Sequence, residues 1–153
     1  MSVERAGWTR LTAFSSVFLR LGLGASFLSA VADRFGWWGA FGRPNVAWGD
    51  FARFVEYTAR LNWFLPAVVI PALAVVATIA ETVLGALLVI GWQTRLAALL
   101  SGALLLGFAI VMTVALGVES PLNLSVFSAA GGALLLGACA EYPYSVDQLL
   151  RRS

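Results

Sequence analysis

Residues able to do chemistry are scarce in this chain. Its 153 residues include no histidine and one cysteine, and all ten basic residues are arginines. These counts exclude a histidine-ligated haem, a thiolate cluster, a zinc site and a CxxC pair within the chain, so no intrinsic redox cofactor and no metal site are expected. Two charges stand out by position: Arg20 lies almost at the centre of the first long apolar run, and Glu81 lies a little past the centre of the second. A central arginine or acid costs about 2.5–3.5 kcal/mol on insertion scales, so both should face protein, not lipid. If the two runs are antiparallel helices with matched centres, the charges fall within about 5 Å of one another in depth at 1.5 Å per residue. The spacing predicts a direct or water-bridged Arg20–Glu81 pair, serving either as a lock on helix register or as a polar ligand or proton site.

Gly24 follows Arg20 by one helical turn, and Gly85 follows Glu81 in the same way, so each charge shares a face with a residue that permits close packing. Ser128 and Gly132, and Ala129 and Ala133, give a similar small-residue face near the C terminus. Asp33 and Arg34 mark the far end of the first run, and Glu119 and Asn123 fall at the same level between the last two. These four form a candidate outer polar cluster, with ordinary interfacial solvation as the alternative and Asn123, after Pro121, as a candidate helix cap. Cys139, near the end of the last apolar run, reads as a packing residue.

The elements that must position these residues are membrane helices. The chain is 60% hydrophobic and 12% charged, far below the charge of a soluble domain, which is about 25%. Apolar runs over residues 11–32, 65–90, 96–118 and 122–140 each meet or approach the ~20 residues that cross a hydrocarbon core. No strand-like alternation recurs, so a barrel is excluded. The expected fold is all-α: one integral membrane domain over residues 1–153, an antiparallel four-helix bundle with short hairpins at 91–95 and 117–121. The first connection is long and holds four tryptophans. Within it Asp50 can cap an amphipathic helix over 51–62, with Phe51, Phe54, Val55, Thr58 and Leu61 on one side and Arg53, Glu56 and Arg60 on another, lying in the interface. Trp37, Trp38, Trp48, Trp63 and Trp92 suit headgroup anchoring. Pro66 suits a helix start, and Pro71 should bend the second helix.

Orientation rests on arginine. Arg5, Arg10, Arg95, Arg151 and Arg152 on one side oppose Arg34, Arg43, Arg53 and Arg60 on the other, a modest bias toward cytoplasmic N and C termini in a bacterial inner membrane. A competing reading takes residues 21–29 with Ala30-Val31-Ala32 as a cleaved leader, which would leave three helices; the length of the run before Arg20 argues against it. The formal charge of +2 is small and dispersed, which excludes a nucleic-acid footprint.

Phe18-Leu19-Arg20-Leu21-Gly22-Leu23-Gly24 with Arg34-Phe35-Gly36 resembles the first-helix pattern of the DoxX family. Glu81-Thr82-Val83-Leu84-Gly85, continuing through Gly91-Trp92-Gln93-Thr94-Arg95, looks like its second-helix signature. The resemblance implies a small four-helix membrane protein related to the small subunit of a thiosulfate:quinone oxidoreductase, with Arg20 and Glu81 as intramembrane charges and Arg34 where the family usually has lysine. Asp33 beside it departs from that pattern. Two functions are then expected: a membrane subunit of a redox or respiratory complex that holds a quinone near Arg20 and Glu81 while a partner subunit performs the oxidation, or a noncatalytic scaffold or assembly factor for another membrane protein. Membrane lipids are partners on either reading.

Overall fold

In the computed structural model, which describes residues 2–151 and side chains from residue 10 onward, the described residues form helices and no strand. The Arg5 side chain and Arg152, both used in the orientation argument, lie outside that description. The elements are α1 (Ser2–Arg34), α2 (Phe51–Leu61), a 3-10 turn (Ala67–Val69), α3 (Ile70–Ile90), α4 (Thr94–Leu116), α5 (Glu119–Asn123), α6 (Val126–Ala138) and α7 (Val146–Leu150). Three segments are long and apolar enough to cross a membrane: Arg10–Arg34, Ala67–Ile90 and Thr94–Leu116.

The fourth apolar run is not one helix over 122–140. Ser125 adopts a left-handed backbone, φ 56°, which ends α5 and leaves α6 with 13 residues. At 1.5 Å per residue α6 covers about 20 Å of a core about 30 Å thick. Asn123 does not cap α6: its amide lies 3.5 Å from Glu119 of the preceding turn, and α6 begins without a side-chain cap bond. Pro71 does not bend α3 but starts it, because the missing proline N–H is harmless in a first turn. The apolar residues before it go into the 3-10 turn. Around α2, Asp50 accepts a hydrogen bond from the Arg53 amide at 2.9 Å, while Phe54 and Thr58 are buried and Arg53, Glu56 and Arg60 stay exposed.

The most extensive packing joins α1 to α3 and α4 to α6, with α2 laid against α3 and α4. Leu23, Phe27, Leu84, Leu88, Ala97, Ala98, Ala133 and Leu136 form the core between them. Gly24 and Gly85 meet face to face: a Cβ on Gly24 would come within 2.9 Å of the Gly85 carbonyl oxygen. At the opposite end of α3 from α2, Gly91 turns the chain with φ 75° into α4. The segment after α6 folds over this turn, with the Asp147 amide donating to the Gly91 carbonyl at 3.0 Å.

Candidate functional site

The buried charges gather where α1 ends under α2. Arg34, the last residue of α1, reaches back along α3 to form an ion pair with Glu81 and donates from Nη1 to the Thr78 hydroxyl at 3.0 Å. Thr78 in turn donates to the Ala74 carbonyl, the usual outlet for a threonine hydroxyl within a helix. Above the guanidinium lie two aromatic faces, Phe54 at 3.7 Å and Trp48 at 5.2 Å from ring centre to Cζ. Arg34 and Glu81 are 2% and 4% exposed, so the pair is sealed from solvent. One residue earlier, Asp33 accepts through Oδ2 from the amides of Ala47 and Trp48 at 3.0 and 2.9 Å, fixing the loop that carries Trp48 over Arg34. The Asp50 cap starts α2, and α2 delivers Phe54 onto the cation.

The expected Arg20–Glu81 pair is not formed. Arg20 is buried, but its Nη2 donates to the Tyr144 carbonyl at 2.7 Å, and it lies against Gly91 at the far end of α3. The reason is register. With Gly85 seated between Gly24 and Leu28, Glu81 lies level with a point about ten residues beyond Arg20 along α1, roughly 15 Å away. Matched centres assumed symmetric spans, whereas α1 slides along α3 and α2 fills the space beyond its end. Arg34, read as part of an outer cluster, is therefore the partner of Glu81.

The other two members of that cluster stand apart. Glu119 and Asn123 contact each other on α5, and among the described residues no hydrogen bond or ion pair joins them to Asp33 or Arg34. Thr78, Trp48 and Phe54 were not singled out by sequence reasoning as members of a charge site. The available signals were weak: Thr78 lies one turn before Glu81, and Phe54 lies on the apolar side of α2. Among the described residues no group of three or more metal-ligating side chains comes together.

A second polar centre lies under Arg20. Asp147 accepts from the amides of Gln93 and Thr94 at 2.9 and 2.7 Å, closing the start of α4 with a carboxylate where the helix dipole favours one. Burial pushes the Asp147 carboxyl up, but the Thr94 and Gln93 hydrogen bonds and the Arg151 charge outweigh it, and the net direction is downward. The Tyr142 hydroxyl donates to the Leu136 carbonyl at 3.1 Å, and its burial pushes its pKa up.

Compared with known proteins, residues 12–123 match the family model described as methylamine utilisation protein MauE. No curated protein and no solved structure matches the chain. The resemblance to the DoxX family is thereby corrected: it rested on short arginine-glycine and glutamate-glycine patterns, and the model that spans most of the chain is that of a different membrane family.

Proposed function

Because the chain belongs to the MauE family, we propose that it serves methylamine utilisation as a noncatalytic membrane accessory protein, a scaffold or assembly factor for another membrane or redox subunit. The observation that carries this reading is the closed Arg34–Glu81 centre. Its charges hold α1 to α3 and draw α2 down through Phe54 and Trp48, with no face left open to a reactant. The intramembrane charges thus shape a platform, and chemistry falls to a partner. Around the same end Trp37, Phe41, Trp63 and Phe64 remain exposed, an aromatic rim suited to headgroups or to a second membrane protein.

On this reading the chain is one domain of an inner membrane, with α5 and α6 together making a fourth crossing and both termini in the cytoplasm. The quinone reading required Arg20 and Glu81 to grip one head group, and their separation along α1 removes that support. The test is purification of the tagged chain from membranes of cells growing on methylamine, with mild detergent and cross-linking. A protein partner in fixed stoichiometry is expected. Recovery of the chain alone with an equimolar quinone would overturn the proposal.

A further inference from the structure

We propose that the cleft between α1 and the Trp38–Trp48 segment binds a small organic ammonium ion through Asp33. Three charged side chains are buried at this end: Asp33, Arg34 and Glu81, at 5%, 2% and 4% exposure. Two carboxylates and one guanidinium are therefore buried at this end. Arg34 is committed to Glu81, and Asp33 uses only Oδ2, on two backbone amides. Asp33 Oδ1 is buried without a hydrogen-bond partner. A buried carboxylate with an idle oxygen and, among the described residues, no ion-pair partner is a costly arrangement unless a cation completes it. The helix itself adds to the imbalance, because Asp33 stands in the last turn of α1, where the carbonyl ends carry the negative pole.

Beside Asp33 opens a cleft of about 510 Å³, lined by Trp38, Trp48, Ser29 and Asn45 among others. Carboxylate, aromatic rings and a neutral oxygen acceptor together are the chemistry that recognises an ammonium group: the carboxylate takes the charge, the rings cover the alkyl part, and the Asn45 side-chain oxygen accepts an N–H bond, while the Ser29 carbonyl and hydroxyl already accept from Trp38 Nε1 at 3.1 and 3.2 Å. Aromatic walls favour an organic ammonium over a hydrated metal ion. Rings at this end already hold one cation, the Arg34 guanidinium, on Trp48 of the loop and Phe54 of α2. The inference stands on Asp33 and not on the accessory role, so partner copurification and amine binding fail or succeed separately.

The full chain, purified into nanodiscs of neutral phosphatidylcholine, should show saturable heat and a tryptophan fluorescence change on titration with methylammonium chloride at constant ionic strength. Sodium chloride should show neither. Asp33→Asn should weaken the affinity by at least about tenfold, as loss of a charged partner predicts. Trp38→Leu removes an outer wall that is 58% exposed, together with its Nε1 hydrogen bonds to Ser29, leaves the Asp33 bonds to the loop amides in place, and should weaken binding severalfold while helicity is unchanged, which keeps the test decisive if Asp33→Asn disturbs those amides. No saturable response to methylammonium, an equal response to sodium, or unchanged affinity in Trp38→Leu would each overturn the proposal.

Discussion

Withdrawing a guanidinium and a carboxylate from water costs several kcal/mol each, and their attraction offsets this only with good geometry and further hydrogen bonds. Arg34 gains one such bond, to Thr78, and two aromatic faces, while its Nε is buried without a hydrogen-bond partner, so the pair depends on its mutual attraction. Removing one partner leaves the other buried and uncompensated. Arg34→Leu and Glu81→Leu should each lower the unfolding free energy by about 3–5 kcal/mol, and the double variant should lose much less than the sum. Arg20→Leu combined with Glu81→Leu should be additive within about 0.5 kcal/mol, since residues so far apart share no partner. Denaturant unfolding in detergent, followed by circular dichroism, measures both cycles; strong coupling of Arg20 to Glu81 with none for Arg34 would contradict the geometry. That Arg20 and Glu81 are buried was legible from their place in apolar runs. Which charge meets which was not, because register depends on the Gly24–Gly85 contact and on how far α1 slides past α3, and neither follows from hydropathy.

Between elements, the C-terminal segment acts as a clamp on the α3–α4 turn. α7 is too short to hold itself in place, and Asp147 anchors it to the Gln93 and Thr94 amides while Arg20 holds the Tyr144 carbonyl. The Asp147 carboxyl titrates below its ordinary value in the folded chain, so the folded state binds the proton less well than the unfolded state. Its contribution to stability is complete above the unfolded value, near 3.9, and is lost as pH falls through the lower folded value. Wild type should therefore exceed Asp147→Asn in thermal stability at pH 7, and the difference should shrink as the pH falls below about 4. Melting curves across that range give the measurement, and a difference that grows on acidification would contradict the clamp. Elements themselves were legible to different degrees. α2 could be read from the Asp50 cap and the spacing of Phe51, Phe54 and Thr58, because cap and periodicity are both local signals. The break at Ser125 could not, since nothing in an apolar run marks a serine that packing holds at positive φ. The clamp escaped notice for a related reason: Asp147 acts on residues more than fifty positions away.

At the scale of the whole molecule, the orientation we propose rests on charge once the buried arginines are set aside. Arg34 was counted as a loop charge, yet it is withdrawn into the ion pair, which leaves Arg43, Arg53 and Arg60 exposed at the α2 end. Arg10, Arg95 and Arg151 are exposed at the other end, and by sequence Arg5 and Arg152 count with them. A five-to-three bias toward the α3–α4 turn favours that end as cytoplasmic. The chain must also return there after α4, because Asp147 bonds to the residues from which α4 departs. Single cysteines introduced by Ser2→Cys, Trp63→Cys and Leu149→Cys, with Cys139 replaced, can be probed with a membrane-impermeant maleimide. The Trp63→Cys variant should label in cells whose inner membrane is intact, and the other two only after that membrane is opened. Labelling of the Ser2→Cys and Leu149→Cys variants from opposite sides would remove the fourth crossing, and the reverse pattern at all three would invert the orientation.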